Sequence, residues 1–174
     1  MARSGRATKD FLRGVVFVSL APWMVACGGV TTSAESPAVG DAFAVSAVSV
    51  CQATLAQKEA WRPFPHPEFN PTQPDPSKFP EVAVWLKEET AVTFEAWLAE
   101  LQALGEPPGG QEAWDDVLAA VQTIVQLNAA QVTAAEDGDT EAFVEAAADL
   151  RQTQVELVRA TEAAGVAECS DVHK

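Results

Sequence analysis

The chain has 174 residues, enough for one domain with a real hydrophobic core, and a formal net charge of −14. Setting aside Arg3, Arg6, Lys9, Asp10 and Arg13 lowers its 11 basic and 25 acidic residues to 7 and 24, so residues 27–174 carry a net charge of −17. So acidic a body, with no cluster of Lys or Arg, excludes nucleic acid as a partner and is repelled by anionic lipid headgroups.

Residues 1–13 are basic, residues 14–26 are apolar and uncharged, and a small residue then precedes Cys27. This order is that of a secretory signal peptide. The apolar run falls short of the ~20 residues that a membrane-spanning helix needs. Met24-Val25-Ala26-Cys27 resembles the end of a bacterial lipoprotein signal. The resemblance implies cleavage before Cys27 and a diacylglycerol thioether on that residue. The body would then be lipid-anchored on the extracytoplasmic face of the cell membrane. Residues 28–40 are small and polar with Gly and Pro and lack apolar periodicity. We expect residues 1–26 to be the signal, 27–43 a lipidated flexible tether and 44–174 the folded body.

Within the body the apolar pattern repeats near 3.6. The first helix is expected over 44–61, although the partial alternation of residues 41–50 also fits a strand. A second helix is expected over 80–104, with Pro80 at its first turn and Val82, Trp85, Leu86, Phe94, Trp97 and Leu101 on its apolar face. A third spans about 111–136 on a stripe that includes Trp114, Val117, Val121, Ile124, Asn128 and Val132. The fourth spans 139–165, with Phe143, Ala147, Leu150, Gln154, Leu157, Thr161 and Ala164 at steps of four and three. Asp137-Gly138-Asp139 makes the last two helices an antiparallel hairpin. The expected fold is all-α: a four-helix up-down bundle with a long proline-rich loop between helices 1 and 2, stapled by one disulfide.

With Cys27 assigned to lipid, Cys51 and Cys169 remain. An even remainder outside the cytoplasm favours a disulfide. In an up-down bundle the start of the first helix and the end of the last share one end of the molecule, which agrees with that pairing; two separate buried thiols are the alternative. The body also resembles small helical bacterial lipoproteins with a cysteine near each end, through Cys51, Gly138-Asp139 and the run Ala164 to Cys169. That resemblance implies a fold and no activity.

Seven of the 19 residues from Arg62 to Pro80 are proline. Such a segment is neither a helix nor an inner strand. Its rings either lie down on the bundle or face a partner, so Phe64, His66, Phe69 and Phe79 form a candidate partner loop. His66 and Glu68 alone do not make a metal site, and the other histidine, His173, is in the C-terminal tail. No nucleophile elbow, zinc-protease helix, phosphate loop or dinucleotide fingerprint is present. The expectation is therefore no enzyme, no metal and no cofactor. The leading reading is a membrane-anchored binding or structural envelope component with a protein partner. The second is a small-molecule or peptide module with a pocket between helices, lined by Trp61, Trp85, Trp97 and Trp114.

Overall fold

A computed structural model describes residues 39–173. The signal region, Cys27 and most of the expected tether lie outside the described residues. Within them the body is all-helical, without a strand, and carries a Cys51–Cys169 disulfide. Five α-helices occur: α1 (Asp41–Glu59), α2 (Phe79–Trp85), α3 (Val92–Ala103), α4 (Gln111–Asp137) and α5 (Thr140–Ala164).

Helix α1 starts at Asp41 rather than at 44, and the strand alternative for 41–50 is excluded. Gly40 is extended and its carbonyl accepts the Ala44 N–H at 2.9 Å. Asp41 places a carboxylate at the positive end of the helix dipole. Phe43 meets Trp114 edge-on at 4.9 Å, and Val39 is buried. Residues 39–43 therefore belong to the body and not to a tether.

The second expected helix is present as α2 and α3 joined by a π-helical turn over Leu86–Ala91. Its buried positions Val82, Leu86, Thr90 and Phe94 recur at steps of four. Three such steps span more residues than three α-helical turns, which take about 11, so an α-helix would rotate the later positions off the face. The wider turn absorbs the excess and keeps them on one side.

Helices α4 and α5 form the largest internal contact. Gly138 takes φ 71° at the end of α4, and the Asp139 N–H bonds back to the Ala134 carbonyl at 2.8 Å. Asp139 then caps α5 by accepting the Ala142 N–H at 3.0 Å. By length and composition α4 also passes as a membrane span, but its apolar stripe is the core: Trp114, Val117, Val121 and Ile124 are fully buried. Asn128 is buried on that stripe and donates to the Ile124 carbonyl at 2.8 Å, which satisfies the amide within its own helix.

The buried side chains form two groups. The larger joins α1, α3, α4, α5 and the C-terminal segment; the smaller joins α2, the end of α4 and Phe143. After Gly165 (φ 75°) the chain forms a 3-10 turn over Ala167–His173 and lies against α1 and α5. Val166, Cys169 and Val172 are wholly buried. Their spacing of three is the 3-10 repeat, which puts all three on one face.

Candidate functional site

The proline-rich segment packs on the body through its rings. Phe64 meets Trp85 edge-on at 4.9 Å, and Phe69 meets Phe143 edge-on at 5.7 Å. Phe79 opens α2, is 1% exposed and packs 5.1 Å from Phe143. Of the candidate partner-loop residues, Phe79 is therefore core. Phe64 and Phe69 are half-buried beside it. Asp75 anchors the last stretch by accepting the Ser77 N–H at 2.9 Å; the Ser77 hydroxyl first, and this N–H second, hold its carboxyl below the usual carboxylate range.

His66 is nearly covered. Glu81 lies 3.2 Å from its Nε2 and Glu68 3.6 Å from its Nδ1, both within ion-pair reach. The Nε2–Glu81 approach lies outside hydrogen-bonding geometry, so it is an electrostatic contact that depends on protonation of the ring. No group of three or more metal-ligating side chains occurs among the described residues.

The four tryptophans do not share one cavity. Trp97 and Trp114 are fully buried in the core. Trp61 donates its indole N–H to Thr93 Oγ1 and Trp85 donates to the Arg62 carbonyl, both at 2.9 Å. A shallow groove of about 360 Å³ runs along the seam of loop and α2. Three prolines (Pro63, Pro65 and Pro80), Val84 and Trp85 line it, with Arg62 and Glu81 as its charged members. Arg62 also reaches Glu88 and Glu89 in the π-helical turn at 2.6 and 2.5 Å. The hydrogen bond to Glu89 is the main reason its pKa is raised. The wide turn thereby fixes one rim of the groove.

A second constellation holds the C-terminal segment. Lys58 donates from Nζ to the Val172 carbonyl and lies over the Trp61 ring at 5.5 Å. His173 stacks on Phe94 at 5.3 Å, and its Nδ1 faces Gln154 Nε2. Burial lowers the Lys58 pKa. His173 falls from 6.5 to about 4, first through burial and second through the Lys58 charge. Sequence reasoning placed His173 in a tail without a role and passed over Lys58. The available signal was that Lys58 is the lone cation of α1.

No protein-family model matches the chain, and comparisons with curated proteins and with solved structures give no match.

Proposed function

We propose that this chain is a bacterial lipoprotein, anchored through lipid on Cys27 to the extracytoplasmic face of the cell membrane. Its helical body acts there as a binding or structural component of the envelope. The observation that carries the reading is the division of labour among three cysteines. Cys51 and Cys169 are paired and wholly buried, as suits an oxidising compartment. That leaves Cys27, which ends the signal-like segment, as the one thiol outside the pair.

We further read the body as a four-helix up-down bundle in which α2, the π-helical turn and α3 act as one helix. In support, the Val39 N–H donates to the Ala164 carbonyl at 3.3 Å, and Gly40 lies against Pro108, which gathers the start of α1, the end of α5 and the α3–α4 loop. Phe69 and Phe79 meet Phe143 near the α4–α5 turn. Under this reading the groove beside Trp85 lies at the end of the bundle opposite the start of α1.

The test is metabolic labelling with a palmitate analogue in a bacterial host. The natural chain should take up label and sediment with membranes, and Cys27→Ser should lose both properties. Label retained by Cys27→Ser would overturn the proposal. A second reading, a peptide-binding module, is favoured by the apolar, proline-lined groove at Trp85. In that case Val84→Glu should abolish capture of a peptide ligand without altering the membrane fraction.

A further inference from the structure

Carboxylates reach into most hollows of this surface. The groove beside Trp85 carries Glu81, one between α4 and α5 carries Asp116 and Glu156, and one beside Gly165 carries Glu168. A groove of about 330 Å³ between α5 and the C-terminal 3-10 turn is different. Arg151, Gln154, Val155, Val158, Ser170 and His173 line it, and none is acidic. Arg62 and Lys87 are ion-paired and Lys58 holds the Val172 carbonyl, whereas Arg151 makes no ion pair or hydrogen bond among the described residues. Its neighbours one turn away on α5 are Ala147, Ala148, Gln154 and Val155, so the helix supplies no carboxylate to pair with it. In a body with 7 basic and 24 acidic residues, this guanidinium is left to the groove.

The groove is also preorganised. Ser170 and His173 stand three apart on the 3-10 turn, the repeat that puts side chains on one face. Gln154 ties that face to α5: its Nε2 donates to the His173 carbonyl at 3.1 Å and faces the ring Nδ1. A carbonyl can only accept, so the contacting amide atom is the nitrogen, and Nδ1 is the acceptor of its second proton. Burial first, and the Lys58 charge second, keep the ring neutral at pH 7. A neutral ring that accepts at Nδ1 carries its proton on Nε2. A serine beside a histidine invites a nucleophile-and-base reading. This tautomer excludes it, because the lone pair of Nδ1 is taken and Nε2 is protonated. The ring is left as a donor.

We propose that this groove binds a small organic acid that has one carboxylate and an apolar body. The carboxylate pairs with the Arg151 guanidinium, a charge-assisted contact, while His173 and Ser170 supply neutral donors. The apolar part lies along Val155 and Val158. A single guanidinium with neutral donors matches one negative charge, and a polyanion would meet the field of the acidic body as well. The volume is at the small end for ligand sites, which limits the acid to the size of a single aromatic ring and a short chain. The inference rests neither on lipid anchoring nor on the groove beside Trp85.

The experiment uses the full chain in nonionic detergent at pH 7 with 3-phenylpropionate as the probe. His66 and His173 are the two histidines of the chain, so carbon-13 labelling of the histidine Cε1 gives two resonances, which His66→Gln assigns. Phenylpropionate at millimolar concentration should shift the His173 resonance saturably and leave that of His66 in place. The uncharged 3-phenylpropanamide should shift neither. Arg151→Gln, a substitution at an exposed position, should raise the midpoint about tenfold or more, the scale of a lost charged hydrogen bond, with the His66 resonance unchanged as the sign of an intact fold. Nitrogen-15 shifts of the free protein should show the Nε2–H tautomer of His173. Equal shifts of both histidines, equal binding of acid and amide, or an unchanged midpoint in folded Arg151→Gln overturns the proposal. So does an Nδ1–H tautomer, or inorganic phosphate binding more tightly than phenylpropionate, which would mark a site for a small dianion.

Discussion

Lys58 and Val172 are joined by a hydrogen bond from Nζ to the backbone carbonyl across 114 positions of sequence. This bond is the last of a series. The Val39 N–H meets the Ala164 carbonyl, Cys51 bonds Cys169, and Lys58 reaches Val172. Both partners advance together, so the C-terminal segment runs parallel to α1 and is fastened along its length. The lysine, whose charge is costly where it is half-buried, is spent on a carbonyl that the 3-10 turn leaves open.

The disulfide closes 118 positions of sequence, which in the chain-entropy account is worth about 4–5 kcal/mol. Cys51→Ala with Cys169→Ala is expected to lose about 2–5 kcal/mol in urea unfolding, with residues 166–173 losing amide-exchange protection before the α4–α5 hairpin does. Uniform loss of protection would instead mean that the segment and the hairpin unfold as one unit.

Acid should weaken the same region through His173. The unfolded chain takes up a proton near pH 6.5, whereas the folded ring resists it until about pH 4. The stabilisation is therefore fully present above about pH 6.5 and is lost as pH falls toward 4, by about 2–3 kcal/mol. His173→Gln removes this titration, so its stability should decline less than that of the parent between pH 7 and pH 4. Lys58→Met should raise the His173 pKa in an NMR titration, because a neighbouring positive charge is gone.

The long, uniform stripes of α4 and α5 were legible because their burial is one-sided and each is bounded by a glycine turn. The cysteine pairing followed from parity and compartment. Three features were hidden. The π-helical turn arises from a stretch of steps of four that reads locally as ordinary helix. The loop rings were ambiguous because their seat, Phe143, is supplied by a distant helix. Residues 39–43 read as a tether because Val39 and Phe43 are isolated apolar residues among small ones, and only Ala164 and Trp114 give them partners. The spacing of Val166, Cys169 and Val172 was visible, but it has a period of three and falls outside a search for 3.6.

Gly40 tests the packing at the start of α1. Its backbone, at φ −62° and ψ 146°, is open to any residue, so a substitution meets only its neighbours. An added Cβ would stand 2.8 Å from Pro108 Cγ. Pro108 is itself exposed but sits between the buried Pro107 and Gly110, so its ring has little room to yield and Gly40→Ala is expected to cost about 1–3 kcal/mol. Pro108→Ala should relieve the clash, so the double variant should be more stable than the sum of the single effects predicts. Strict additivity in the urea midpoints would place the strain elsewhere.

Phe143 is the point on which the loop depends. It is 2% exposed and touches both Phe69 and Phe79. Phe143→Ala is expected to cost about 3–5 kcal/mol and to open residues 63–78 to proteolysis under conditions where the parent resists. Phe64→Ala removes a half-buried ring whose neighbours are Phe69 and Trp85, so it should cost about 1–2 kcal/mol on area grounds and leave the rest of the loop seated. The order of the two variants in a thermal melt, read with their cleavage patterns, decides whether the loop is held mainly from α5 or from α2. A larger loss in Phe64→Ala would move the anchor to Trp85 and make the groove beside it part of the body's stability.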